Sequence, residues 1–313
     1  MRRTKVQIGG FRQQGIVMPV HELAALGAAF CWAATGVLSR DAADALGPFG
    51  FSRLREGMVA VMLAVIVIAT GRLHGIPAQH FAALALSGVV GIFIGDTILY
   101  VSLTRMGPRR NGALFSLNAP MAALLGWAVL DETLSWRAIL GIGLATAGVG
   151  IAVLGRPGRS GSHRFETIRG PVWVGVLCGL VAAAGQAAGS LIARPVMATG
   201  FDPYVASLIR VSVAVICLSA VMTLPIGPFR QRAPLTWRLA GISALSGFIA
   251  MVVVMTLLMF ALQGGKVGIV STLSSLSPVL LLPIMWAVTG ARPSATSWLG
   301  AALAVAGIAL IFA

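Results

Sequence analysis

The chain of 313 residues has few charged side chains and few groups of the kind that hold metals or form disulfides. Only 10% of the residues are Asp, Glu, Lys or Arg, and 58% are hydrophobic, whereas a soluble domain carries roughly 25% charged residues. This composition excludes a soluble core. The three cysteines, Cys31, Cys178 and Cys217, all lie in apolar stretches without ligand spacing, so neither a disulfide framework nor a zinc site is indicated.

Recognisable catalytic patterns are missing as well. The sequence contains no HExxH, GxSxG, P-loop or CxxC pattern, and its four histidines lie at span ends or in loops without companions. We therefore expect no cofactor, no metal, no catalytic residue and no ATP-driven transport by this chain alone. Acidic residues are also scarce, and the formal net charge is +14. The basic residues are nevertheless scattered, without the interleaved aromatics of a strand-binding surface, so no nucleic acid partner is expected.

The sequence does contain long apolar stretches, and its mean hydropathy is +0.92. Each stretch is long enough for a helix to cross about 30 Å of hydrocarbon, and open strands cannot cross because their backbone groups would stay unpaired in lipid. The pattern predicts an all-α membrane protein with ten transmembrane helices. The predicted spans are 21–39, 48–70, 79–104, 111–130, 137–154, 171–193, 203–224, 239–262, 267–289 and 297–313.

The longest polar stretch divides these spans into two sets of five. We predict a basic N-terminal tail at 1–20, a first five-helix repeat at 21–154, a linker at 155–170 and a second repeat at 171–313. Met18 leads directly into the first span, so whether the residues before it belong to the native protein stays open.

The two halves share spaced residues, as an internal repeat requires. When Gly107 is placed on Gly265, further matches follow, and Arg55 falls on Arg210 in the second span of each half. The other matching pairs are Ser116 with Ser274, Pro120 with Pro278, and Trp127 with Trp286. An odd number of spans per repeat places the two copies in opposite orientations, which is the plan of many secondary transporters with a substrate site between the repeats.

The motifs of both halves resemble the EamA-type domain of the drug/metabolite transporter superfamily. The first copy carries the resemblance at Gly95-Asp96-Thr97, Tyr100, Met106-Gly107, Leu117-Asn118-Ala119-Pro120, Leu130-Asp131-Glu132-Thr133-Leu134, Gly141 and Ala147-Gly148-Val149. The second copy carries it at Gly265, Ser277-Pro278, Trp286, Gly300 and Ala306-Gly307-Ile308, with Gly290-Ala291-Arg292 where an acidic residue is usual. The resemblance implies a ten-helix, 5+5 inverted-repeat carrier that exports amino acids, metabolites or amphipathic compounds.

The orientation in the membrane is open to two interpretations. The resemblance implies that both termini lie in the cytoplasm and that the protein lies in the inner (plasma) membrane. However, loops on the side opposite the termini carry more Lys and Arg, which under the positive-inside rule favours termini outside. We retain cytoplasmic termini as the expectation, and oligomeric state stays open between monomer and homodimer.

Asp96 is the carboxylate nearest the middle of a predicted span, where a charged group by default indicates a site. It follows Gly91 and Gly95, whose spacing allows a neighbouring helix to approach closely. Asp96 is therefore a candidate for binding a cation or for proton coupling, and the alternative is a structural hydrogen bond to another helix. Tyr100 shares its helix face, and an aromatic beside a carboxylate suits an organic cation.

Three further polar or aromatic residues complete the predicted cavity. Gln186 lies between Gly185 and Gly189, Trp32 lies deep in the first span, and Asn118 lies in the fourth. Each could bind a small-molecule substrate or simply pack within the bundle. Arg55 and Arg210 could each bind a carboxylate or phosphate of a substrate through two hydrogen bonds. We favour the structural alternative, in which they reach the interface or, for Arg55, pair locally with Glu56.

Pro120 and Pro278 are predicted to lie mid-span, where proline removes a backbone hydrogen bond. We interpret both as hinges for alternating access, with static kinks as the alternative.

The favoured function is a secondary transporter. The alternatives are a lipid or lipid-linked substrate flippase of the same fold, a membrane-embedded enzyme, and a non-transporting assembly subunit.

Overall fold

The structure is a computed structural model, and almost all of the predicted spans lie within the residues that it describes. The described residues are 20–73, 75–130, 134–154, 169–227, 231–274, 276–289 and 292–312. The predictions of a basic tail at 1–20 and a linker at 155–170 therefore fall almost wholly outside the described part of the chain.

Regular structure in the described residues is entirely helical, and it falls into two similar series. The first series is α1 (Val20–Leu46), α2 (Pro48–Ala69), α3 (Ala78–Gly88), a first π-helical segment (Val89–Asp96), α4 (Thr97–Met106), α5 (Pro108–Phe115), α6 (Asn118–Leu130) and α7 (Trp136–Leu154). The second is α8 (Val172–Ala198), α9 (Pro203–Met222), α10 (Trp237–Gly247), a second π-helical segment (Phe248–Val253), α11 (Val254–Gly264), α12 (Val267–Ser274), α13 (Ser277–Thr289) and α14 (Ala295–Phe312).

Six helical stretches of the described chain are long and apolar enough to cross a membrane. They are Val20–Leu46, Ala78–Met106, Val172–Ala198, Pro203–Met222, Trp237–Gly264 and Val267–Ile284. Shorter apolar helices occupy Asn118–Val129 and Ala295–Gly307. The chain is therefore an all-α membrane protein, and the count of ten spans stays a prediction.

The fourth and ninth predicted spans are not single helices. The stretch predicted at 111–130 is interrupted between α5 and α6, and the one at 267–289 between α12 and α13. Pro120 and Pro278 consequently lie in the first turns of α6 and α13, where a missing N–H costs no intrahelical hydrogen bond. The expectation that these prolines interrupt a continuous helix is wrong, because each lies in the first turn of the helix that follows a break. Their role as hinges stays a prediction.

The helices of the two series pack against each other in matching pairs. The second helices of the two series pack against each other (α2 with α9), and so do the last helices (α7 with α14). α1 packs on α11 and α13, while α8 packs on the first π-helical segment, α4 and α6. The contacts that α1 makes with the second series are therefore matched by those that α8 makes with the first.

The contact between α8 and the first π-helical segment depends on glycine. A Cβ on Gly185 would lie 2.9 Å from Cα of Gly95, and one on Gly189 would lie 2.7 Å from Cα of Gly91. Both distances are shorter than any normal contact, so a side chain cannot be accommodated without moving the backbone. The hydroxyl of Ser87 also donates to the Gly189 carbonyl at 2.6 Å. This close approach holds Asp96, at the end of the segment, beside α8.

Candidate functional site

A cavity lies at the centre of the bundle and has walls from both series of helices. Its volume is about 110 Å³. This is enough for several water molecules, because a single water needs roughly 10–15 Å³ of free space. Its side chains come from α1, α2, the first π-helical segment, α4 and α5, and from α8, the second π-helical segment, α11 and α13. The residues that line it include Trp32, Arg55, Gly91, Asp96, Tyr100, Asn111, Gln186 and Met255.

Four of the five predicted binding residues line this cavity, namely Trp32, Asp96, Tyr100 and Gln186. The fifth, Asn118, lies elsewhere. It is 2% exposed at the start of α6, and its side-chain nitrogen donates to the carbonyl of Phe115 at 2.7 Å. This bond spans the break between α5 and α6, so in this structure Asn118 stabilises the break and does not face the cavity.

Arg55 forms the centre of a charged cluster in the cavity wall. One guanidinium nitrogen donates to the carboxylate of Asp96 in an ion pair, and another donates to the Tyr100 hydroxyl at 2.5 Å. The guanidinium carbon also lies 4.8 Å from the centre of the Tyr100 ring, within cation–π range. The expectation that Arg55 reaches the interface or pairs with Glu56 is wrong, because Arg55 is 1% exposed and pairs with Asp96.

The position predicted for an organic cation thus holds a cation of the protein itself. Asp96 and Tyr100 do share a helix face, but the group between them is the guanidinium of Arg55. The Asp96 side chain is 17% exposed, so one part of its carboxylate faces the cavity and another faces Arg55. A ligand in the cavity can therefore reach Asp96 without first opening the bundle.

Glu56 is a second carboxylate close to this cluster, which the sequence interpretation considered only as a local partner of Arg55. It is 0% exposed, and within the described residues neither carboxylate oxygen has a hydrogen-bond partner. A charged group in such a place is costly unless it is neutralised. The only sequence signal was a carboxylate directly after an arginine inside an apolar stretch, which also suits a local surface pair.

The remaining wall is aromatic and amide in character. The Trp32 ring meets the Phe115 ring edge to face, with centroids 6.0 Å apart. Gln186 is 8% exposed and Asn111 is 7% exposed, and both reach the cavity. Asn111 was not predicted, because its position beside Arg109 and Arg110 resembles a loop at the end of a span.

The described residues contain no group of three His, Cys, Asp or Glu side chains arranged to hold a metal ion. The three cysteines are free. The cavity wall offers groups that can bind a small molecule, namely a carboxylate, a guanidinium, a phenol, two amides and aromatic surface.

Comparison with known proteins identifies the family of this chain. The sequence profile of the EamA-like transporter family matches the chain twice, over residues 20–154 and 173–313. The chain belongs to this family. The protein is therefore a multi-pass membrane transporter, and its two series of helices each correspond to one copy of the family domain.

A curated relative and a solved structure resemble this transporter more distantly. The relative is the S-adenosylmethionine/S-adenosylhomocysteine transporter of Chlamydia muridarum (strain MoPn / Nigg), 21% identical over 116 residues. That match covers 37% of this chain and 36% of the relative. A crystal structure with 18% sequence identity matches with a TM-score of 0.70, over 93% of this chain and 95% of that one; at such identity the likeness shows the fold alone.

Proposed function

We propose that this transporter is a secondary carrier that binds a small-molecule substrate in the central cavity and releases it on the other side by alternating access. The observation that carries the proposal is the Arg55–Asp96 ion pair, which lies in a cavity whose walls come from both halves of the chain. Charged groups within a membrane are costly and by default serve a substrate or ion pathway.

We further propose ten transmembrane helices arranged as a 5+5 inverted repeat, with domains at 21–154 and 171–313. Three observations support this arrangement. The family profile matches each half, both third helices contain a π-helical segment, and both fourth helices are broken. The matching pairs of packed helices are those expected from a two-fold axis within the membrane plane.

The proposed substrates are small metabolites, amino acids or amphipathic compounds, moved outward. An ammonium group can replace Arg55 beside Asp96, and a carboxylate can replace Asp96 beside Arg55. Such an exchange leaves neither buried charge unpaired, which matters because breaking a buried pair costs about 3–5 kcal/mol. Compounds of the amino acid type carry both groups, as do the substrates named for the distant chlamydial relative.

Proton coupling is proposed at Asp96. A proton on its carboxylate would remove the charge that holds Arg55, so proton binding and substrate binding would compete for one group. The breaks before Pro120 and Pro278 are the proposed hinges, since an interruption of the helical hydrogen-bond pattern allows two short helices to reorient. We place the protein in the inner membrane with both termini in the cytoplasm.

Counterflow in proteoliposomes tests the proposal. Vesicles that contain the purified protein are loaded with one amino acid or amine at high concentration, and uptake of the same labelled compound is followed from outside. We expect saturable, protein-dependent uptake for at least one compound of a broad panel, and its loss in the Asp96→Leu/Arg55→Leu double variant. Absence of saturable flux for every compound with the unaltered protein would refute a carrier function.

A further inference from the structure

Arg210 on α9 is a buried arginine whose charge has no acidic partner among the described residues. It is 0% exposed. Nη1 contacts the thioether sulfurs of Met255 and Met259 at 3.1 and 3.3 Å, which are weak acceptors. Nε and Nη2 have no hydrogen-bond partner within the part of the chain that the structure describes. A buried charge without partners is costly, so this arrangement needs an explanation.

The equivalent arginine of the first half has an acidic partner, although its Nε also lacks a hydrogen-bond partner among the described residues. Arg55 meets Asp96 and Tyr100 of its own third helix, and Tyr100 follows it by 45 residues. Met255 follows Arg210 by the same 45 residues. The second half therefore keeps the arginine, but the position that corresponds to Tyr100 is a methionine, and the acceptors of its guanidinium are the sulfurs of Met255 and Met259.

Arg210 lies directly behind the wall of the central cavity. Gly91 and Met255 both line the cavity, and both touch the guanidinium. A Cβ on Gly91 would lie 3.0 Å from Nη2, so glycine at this position lets the guanidinium pack against the segment that forms this part of the cavity wall. Met255 is unbranched and adaptable, and its rotation away from Nη1 would expose the guanidinium to a ligand.

The unpaired atoms belong to one edge of the guanidinium. Nε and Nη2 point their hydrogens to the same side, and this edge forms the two-pronged donor that fits a carboxylate or phosphate oxygen pair. A neutral acceptor would leave the positive charge of the guanidinium without a counter-charge. The geometry therefore favours an oxyanion over an amide or a hydroxyl.

We propose that Arg210 is the binding site for the anionic group of the transported substrate, a carboxylate, which enters when Met255 moves aside. This inference rests on the proposed carrier function and specifies its substrate class: compounds that carry a carboxylate supply the counter-charge that Arg210 lacks among the described residues. In this arrangement the carboxylate binds Arg210 instead of replacing Asp96 beside Arg55, and the exposed part of Asp96 can meet an amino group while Asp96 stays paired with Arg55.

The test compares acids with their neutral amides in the same counterflow assay. The probes are leucine and leucinamide, methionine and methioninamide, and S-adenosylhomocysteine and its carboxamide, each as a competitor of a compound that the unaltered protein carries. We expect the unaltered protein to prefer the acid by about tenfold or more, as charge-assisted bonds to a buried guanidinium imply. Arg210→Met should reduce that ratio to about one while amide transport continues, and Arg210→Lys should give an intermediate ratio.

Two controls separate the inference from its premise. Arg238→Met removes an arginine that is exposed, and it should leave the ratio unchanged. Met255→Glu places a carboxylate beside Arg210, and it should abolish the preference for acids even where Arg210→Met fails to fold. An unchanged ratio in Arg210→Met or in Met255→Glu would overturn the inference while the carrier function stands. No flux of any probe with the unaltered protein would overturn both.

Discussion

Removal of either partner of the Arg55–Asp96 pair should destabilise the transporter to an extent that depends on which partner stays behind. In Asp96→Asn the guanidinium remains, 1% exposed and cut off from water. In Arg55→Met the carboxylate remains, but its side chain is 17% exposed toward the cavity. Asp96→Asn should therefore be the more harmful change.

The magnitudes follow from what each orphaned group retains. Loss of one partner of a buried pair costs about 3–5 kcal/mol. Because Arg55 keeps the Tyr100 hydroxyl and ring, we expect Asp96→Asn to lie near the lower end, about 3 kcal/mol. Arg55→Met should cost about 1–2 kcal/mol, since water in the cavity can reach the carboxylate. The double variant should cost less than the sum, with a coupling of about 2 kcal/mol.

The assay is the free energy of unfolding in mixed micelles, measured for the four members of this double-mutant cycle. Arg53→Gln is the matched control, because Arg53 lies on the same helix with an exposed side chain, and no measurable change is expected. Additive single effects would show that the two groups are not coupled and would refute the ion pair. A larger cost for Arg55→Met than for Asp96→Asn would refute the reasoning from exposure.

Three further predictions concern the same region. Gly189→Ala should lower stability and transport because its Cβ would lie 2.7 Å from the Gly91 backbone. The control Gly57→Ala has nothing within 4 Å of its Cβ and should be neutral or stabilise the protein by about 0.5–1 kcal/mol. Equal effects of the two variants in thermal unfolding would contradict the close helix approach. Asp96→Asn should abolish any dependence of uptake on an imposed proton gradient, and an unchanged dependence would return Asp96 to a structural role. Tyr100→Phe leaves a guanidinium donor unpaired, so it should cost about 1–3 kcal/mol in the same unfolding assay, and no loss would contradict the bond.

Several features of the site could be predicted from the sequence because they depend on local spacing. A carboxylate in an apolar stretch indicated Asp96, and a separation of four residues placed Tyr100 on its helix face. Two glycine pairs indicated close helix packing, and the repeated arginine linked Arg55 to Arg210. The identity of the partners could not be predicted. The Arg55–Asp96 contact joins two helices 41 residues apart in sequence, and no local pattern encodes which face of α2 turns toward which neighbour.

The prolines are a second case in which the sequence alone could not predict the structure, here that of the backbone. Their presence in both halves indicated a discontinuity, but whether a helix bends or stops depends on whether other groups satisfy the free backbone atoms. Here the carbonyl of Phe115 receives the side chain of Asn118. A side chain that looked like a ligand group in the sequence is thereby engaged at the break.

By itself, the sequence determined that this protein is a helical membrane transporter. Apolar stretches of this length and number are stable only in a lipid bilayer, and the motifs match one family. The tertiary structure alone decided the state of each buried charge. Asp96 is paired, Glu56 has no hydrogen-bond partner among the described residues, and Arg210 faces sulfur. Composition counts charges, whereas their energy in a medium of low dielectric depends on distances of a few ångströms between helices that are remote in sequence.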